Sequence, residues 1–135
     1  MKVAQSIAAI CAGIIVNVFV PVAILFPIAE AVVSPRWFAS HMPASGILLG
    51  SVEVGTAAVL AGGVIGLLAP SNAKIHALVV GAVAVAALLW SGKKSPLPLP
   101  VMVLIIVAQV LVLAIAATLV ERWKNRRQRQ HVAPA

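Results

Sequence analysis

GILLGSVEVGTAAVLAGGVIGLLA, residues 46–69, is an unbroken apolar run whose one charged side chain is Glu53. A helix rises ~1.5 Å per residue, so this stretch covers the ~30 Å hydrocarbon core of a bilayer and reads as a membrane span. Its small residues decide how it packs. Advancing 100° per residue, Gly46, Gly50, Ala57 and Ala61 share a stripe with Glu53, while Ser51, Gly55, Ala58, Gly62 and Gly66 form a second stripe nearly opposite. Both repeat the small-xxx-small spacing that lets helix backbones approach closely in lipid. The helix is therefore expected to be sandwiched between neighbours of its own chain, in preference to forming a homodimer seam.

Three further apolar segments flank it, from about Val3 to Ala29, Ala73 to Trp90 and Val101 to Val120. The first has length to spare for tilt and the third is short. Across the 135 residues, 62% are hydrophobic and 10% charged, with a mean hydropathy of +1.11. Soluble domains carry roughly 25% charged residues, so a water-soluble core is excluded as the economical reading. The expectation is all-α: an integral membrane four-helix transmembrane bundle, one domain over residues 1–135, with no internal repeat. Its connections are short and rich in proline: Ser34 to Ser45 holds Pro35 and Pro43, Ala69 to Ala73 reads APSNA, and Ser91 to Pro100 reads SGKKSPLPLP.

Lysine and arginine set the orientation, because cytoplasmic flanks carry the excess. One side holds Lys2, Lys74, Arg122, Lys124, Arg126, Arg127 and Arg129; the other holds Arg36, Lys93 and Lys94. Both termini are expected in the cytoplasm, an N-in/C-in topology, with most of the imbalance coming from the basic tail 121–135. That tail is expected to continue the last helix and fray near Pro134. Trp37, Trp90 and Trp123 fall at the expected water interfaces, where amphipathic rings are favoured. The compact, loop-poor style suggests a bacterial-type inner (cytoplasmic) membrane, crossed several times.

The first span is not expected to be a cleaved signal peptide. Its apolar stretch exceeds the roughly 7 to 15 residues of a secretory core and contains Pro21 and Pro27. The single cysteine, Cys11, cannot form an internal disulfide and is expected to act as a small buried hydrophobe; Ile10 before it is a poor fit to a lipoprotein site.

Few polar side chains occur within the spans, and each is a candidate for function. Pro21 has no amide hydrogen for the carbonyl of Asn17, so a backbone acceptor is released in the turn that already carries the Asn17 amide. Gln109 should lie at a similar depth in the fourth span, making an Asn17–Gln109 hydrogen bond sensible. Helix-to-helix glue is the favoured role of that pair, ahead of a substrate contact. Glu53 lies about 10 Å below the Gly46 end of its helix, and an ionised carboxylate at that depth is costly. It calls for a proton, a cation partner or a wet cavity. Glu30 closes the first span on the same side, and Arg36 and His41 belong to the adjoining loop, so Glu30, Glu53, Arg36 and His41 form a candidate polar cluster.

Three readings of that cluster compete. In the favoured one, Arg36 or His41 caps Glu53 and pins the loop. In the second, Glu53 is a proton or cation site, with Asn17 and Gln109 continuing a polar track inward. In the third, Glu30, Glu53 and His41 hold a metal, a weak reading because no HxxxH or ExxH spacing supports it. We therefore expect no metal and no cofactor.

The chain has no GxSxG, HExxH, CxxC or P-loop sequence and no Asp at all, so enzyme chemistry is not expected. His76 and His131 read as interfacial and solvated residues. Arg122, Lys124, Arg126, Arg127 and Arg129 are placed to meet anionic lipid headgroups, at about 1 kcal/mol each near the surface, with Glu121 pairing locally among them. A pI of 11.0 does not imply nucleic acid here, because no folded reading module accompanies the cations. The leading expectation is a non-enzymatic membrane protein that assembles with itself or as an accessory subunit of a larger membrane complex. The alternative is a small transporter or channel using Glu53.

Overall fold

The computed structural model describes residues 2–25, 42–91 and 99–132. The chain is all-helical: α1 (Lys2–Val20) runs into a π-helical turn (Pro21–Leu25), and α2 (Met42–Leu68), α3 (Ala73–Ser91) and α4 (Leu99–Val132) follow. Three of the four helices, α1, α2 and α4, are long and apolar enough to cross a membrane; the apolar part of α3, Ala73–Ala87, is shorter. Glu30, Arg36, His41, Lys93 and Lys94 lie outside the described residues, and with them the expected cluster around Glu53.

The π turn begins at Pro21, where the missing amide hydrogen interrupts the regular ladder, so the backbone widens by one residue instead of breaking. α2 begins at Met42, four residues earlier than the apolar pattern suggests, with Pro43 in its first turn, where a missing N–H costs nothing. Pro100 has the same place in α4.

α2 packs most extensively on α4 and next on α1, and α3 packs on α4 and α1. The pairs α1–α4 and α2–α3 face each other across the diagonal with little contact. Glycines mark the close approaches. A Cβ on Gly62 would lie 2.6 Å from the Leu113 carbonyl oxygen and 2.7 Å from Ala116 Cβ; one on Gly66 would lie 2.7 Å from the Ala117 oxygen. α2 and α4 therefore run parallel, with Gly62 and Gly66 set on successive turns of α4. Gly13 of α1 meets Ile65 and Val80, so it seats α1 against both α2 and α3. Around these contacts lies a core made mostly of alanine: Ala9, Ala58, Ala61, Ala69, Ala73, Ala77 and Ala117, with Ile65, Val80 and Leu113 as its large members.

α4 is the principal partner of α2 and fully buries Leu113 and Ala117, while Leu104, Leu111, Ile115 and Leu119 are exposed. Its leucines and valines divide between faces, and total hydrophobicity does not reveal the division. Cys11, expected to be buried, is exposed on α1, because Ala9, Gly13 and Asn17 form the buried edge of that helix.

The turn between α2 and α3 is fastened by α4. Pro70 cannot continue a helix, and Asn72 takes a left-handed conformation (φ 51°), which asparagine tolerates better than most residues. Lys124 Nζ donates to the carbonyls of Leu67 (3.2 Å) and Ala69 (2.8 Å), while Glu121 Oε2 accepts from the Ala73 amide (3.1 Å). A cation thus meets the negative carboxyl end of α2, and an anion the positive amino end of α3. His76 Nδ1 lies 3.1 Å from the Asn72 carbonyl and closes the same turn. Glu121 therefore pairs with a backbone amide far away in sequence and not locally with a tail cation as expected, because the end of a helix offers better-aligned partners than a solvated side chain.

Candidate functional site

Asn17 and Gln109 come together. Gln109 Nε2 donates to Asn17 Oδ1 at 3.2 Å, and Asn17 is only 6% exposed. The bond crosses the diagonal between α1 and α4, two helices that otherwise hardly touch, one turn before the π segment. It is the interhelical amide contact that their matched depths suggest, and such contacts contribute about 0.6 to 2 kcal/mol in membranes.

Gln109 also lines a cavity of about 300 Å³ between the N-terminal halves of α2 and α4. Ser51, Val54 and Gly55 form one wall; Leu104, Ile105, Ala108 and Val112 form the other. A Cβ on Gly55 would meet nothing within 4 Å, in contrast to Gly62 two turns later. The cavity therefore closes where Gly62 reaches the α4 backbone. In that parallel register Gln109 stands level with about Thr56, near the closed end.

Glu53 is elsewhere. It lies two residues from both Ser51 and Gly55, hence about 200° around the helix from the cavity wall, on the stripe that carries the fully buried Ala57 and Ala61. Its side chain is half-buried, and among the described residues it has no hydrogen-bond or ion-pair partner. In the register of the glycine contacts it is about one turn nearer the N-terminal end of α2 than Gln109. The structure thus unites two members of the suggested polar track and sets the third on the far side of α2.

Among the described residues no three His, Cys, Asp or Glu side chains gather into a group able to hold a metal. The metal reading of the sequence depends on Glu30 and His41, which are not described.

The basic segment is helical to Val132 and does more than one thing. Lys124 is engaged in capping α2, and the guanidinium of Arg127 stacks 4.1 Å from the Trp123 ring centre. Arg122, Arg126, Arg127 and Arg129 are exposed, with Arg122, Arg126 and Arg129 on one face at i, i+4 and i+7. The capping role of Glu121 and Lys124 is the functional pairing that sequence reasoning missed; their i, i+3 spacing just beyond a span was the available signal.

No protein-family model, no curated protein and no solved structure matches this chain, so the reading of its role rests on its own residues.

Proposed function

We propose that the chain is a non-enzymatic, multi-pass protein of the cytoplasmic membrane, a four-helix bundle with both termini inside, which assembles with itself or as an accessory subunit of a larger membrane complex. The observation that carries this reading is Gly63, whose missing side chain would meet nothing within 4 Å, on an α2 surface that also carries exposed Val52, Thr56, Val59 and Leu60. A glycine in a helix lowers its stability relative to alanine, and in lipid that loss is repaid where another helix approaches. The orientation rests on the excess of lysine and arginine beside the termini and the α2–α3 turn. Arg122, Arg126, Arg127 and Arg129 meet anionic headgroups at the inner surface and hold the assembly upright. Native mass spectrometry of the full chain from lipid nanodiscs is the test: Gly63→Val lowers the oligomer number, and a parent protein that is monomeric and copurifies with nothing removes the proposal.

The second reading, a small transporter or channel, is favoured by one observation, that Glu53 is half-buried with no partner among the described residues. Such a carboxyl within a span is a proton or cation site by chemistry. In reconstituted vesicles Glu53→Gln then abolishes proton-coupled flux while leaving assembly intact. Flux that persists in the variant takes Glu53 out of the pathway, and a parent without flux leaves the assembly reading alone.

A further inference from the structure

The groove between α2 and α4 is the feature that assembly leaves unused. It lies within two helices apolar enough to cross a membrane, and large exposed aliphatic side chains flank it, Val52 and Val59 on α2 and Leu104, Val107 and Leu111 on α4. What enters it arrives from the hydrocarbon phase. Its walls are apolar except at Ser51, whose side chain is already engaged, and at Gln109, near the closed end. One N–H of that amide is held by Asn17 Oδ1; the other N–H and the carbonyl oxygen have no partner among the described residues. Unused amide capacity away from water is unfavourable, so the groove pairs a greasy body with one unsatisfied polar group.

That combination selects among occupants. Water needs two to four polar partners to stay in a cavity, and this wall is almost wholly apolar. A second helix seats its backbone on a small residue that stands clear of its neighbours, as at Gly63, whereas here Leu104, Val107 and Leu111 of α4 rise beside the opening. A phospholipid tail would bring its methyl end to the closed end and leave Gln109 as it is. We propose that the groove binds one lipid-soluble molecule made of a hydrocarbon chain with a hydroxyl or carbonyl group, the polar group bonded to the Gln109 amide near the middle of the membrane and the chain running out between Gly55 and Ala108. At about 300 Å³ the space is at the small end of ligand pockets, which suits a single slender chain.

Decanol and decane test this as a pair, since they share a chain and differ by the hydroxyl. The full-length protein in lipid nanodiscs is titrated with each while its thermal unfolding midpoint is followed, because a ligand of the folded state raises that midpoint by mass action. Decanol is expected to half-saturate the shift at about fivefold lower mole fraction than decane, the discrimination of one hydrogen bond. Gly55→Val sets its Cβ in open space and its methyl groups in the groove, which narrows the groove and removes the response to both probes. Gln109→Met equalises the two probes, and Ala82→Val, which creates the same side chain on exposed α3 surface, behaves as the parent. Equal responses to decanol and decane in the parent, no response to either, or an unchanged response in Gly55→Val overturns the proposal. So does a change of oligomer number in Gly55→Val, which would make the groove a seam between copies.

Discussion

The two halves of the α2–α4 contact carry the same repeat of small residues on α2 and behave in opposite ways. In the C-terminal half, Gly62 and Gly66 sit against the α4 backbone at Leu113 and Ala117; in the N-terminal half, Gly55 faces a cavity. The difference comes from α4. It presents Ala116, Ala117 and Val120 to the closed half, with the Leu113 and Ala117 carbonyls against the glycines, and Leu104, Ile105, Ala108 and Gln109 to the open half. A small-xxx-small stripe therefore specifies a possible approach, and the partner decides where the approach is made.

The largest expected effect separates the halves directly. Gly62→Val drives new methyl groups into a backbone carbonyl, which cannot swing away as a side chain can. It should destabilise the protein by about 3 kcal/mol or more, whereas Gly55→Val should cost less than about 1 kcal/mol. Reversible unfolding in mixed micelles of increasing denaturing-detergent fraction measures both. Equal losses would mean that the seam is uniformly close and the cavity illusory.

The closed half is also the end fastened by Glu121 and Lys124. Removing either group should loosen it by about 1 to 2 kcal/mol, because a helix end loses a charged partner aligned with its unpaired backbone groups. Lys124→Met and Glu121→Gln should each speed amide hydrogen exchange at Ala73 and its neighbours while leaving the N-terminal half of α4 unchanged. Uniform exchange throughout α4 would show that the caps are not local.

Third in size is the Asn17–Gln109 bond, which spans the open half. A double-mutant cycle with Asn17→Leu and Gln109→Met should return a coupling of about 0.6 to 2 kcal/mol. A coupling near zero would leave the two amides as neighbours without mutual stabilisation.

These comparisons also show how much of the molecule can be read from its residues. The apolar runs reveal the helices, because length and hydrophobicity are local properties. The depths of Asn17 and Gln109 point to their bond, because rise per residue converts sequence position into depth. The expectation that Cys11 is buried fails, since hydrophobicity in a membrane does not distinguish an outer face from an inner one. Local pairing of Glu121 among the tail cations is what adjacency suggests; its partner, the Ala73 amide, is 48 residues away and is in reach only once α3 and α4 pack. The place of Glu53 relative to the cavity follows from helical phase alone, but the existence of the cavity depends on Leu104 and Ile105 of another helix.

The smallest effect has the most informative sign. Gly55→Ala places a methyl group in open space, so the only change within the fold is the gain in helix propensity, and the variant should be more stable than the parent by up to about 1 kcal/mol. Gly66→Ala, the same substitution three turns along the same stripe, sets a methyl 2.7 Å from the Ala117 carbonyl oxygen and should be less stable. Propensity is common to the two positions and cancels between them, so the difference in unfolding free energy isolates the contact with α4. If both alanines stabilise, the Gly66 contact yields under a methyl group and the closed half is held by its caps; if both destabilise, something outside the described residues already fills the space at Gly55.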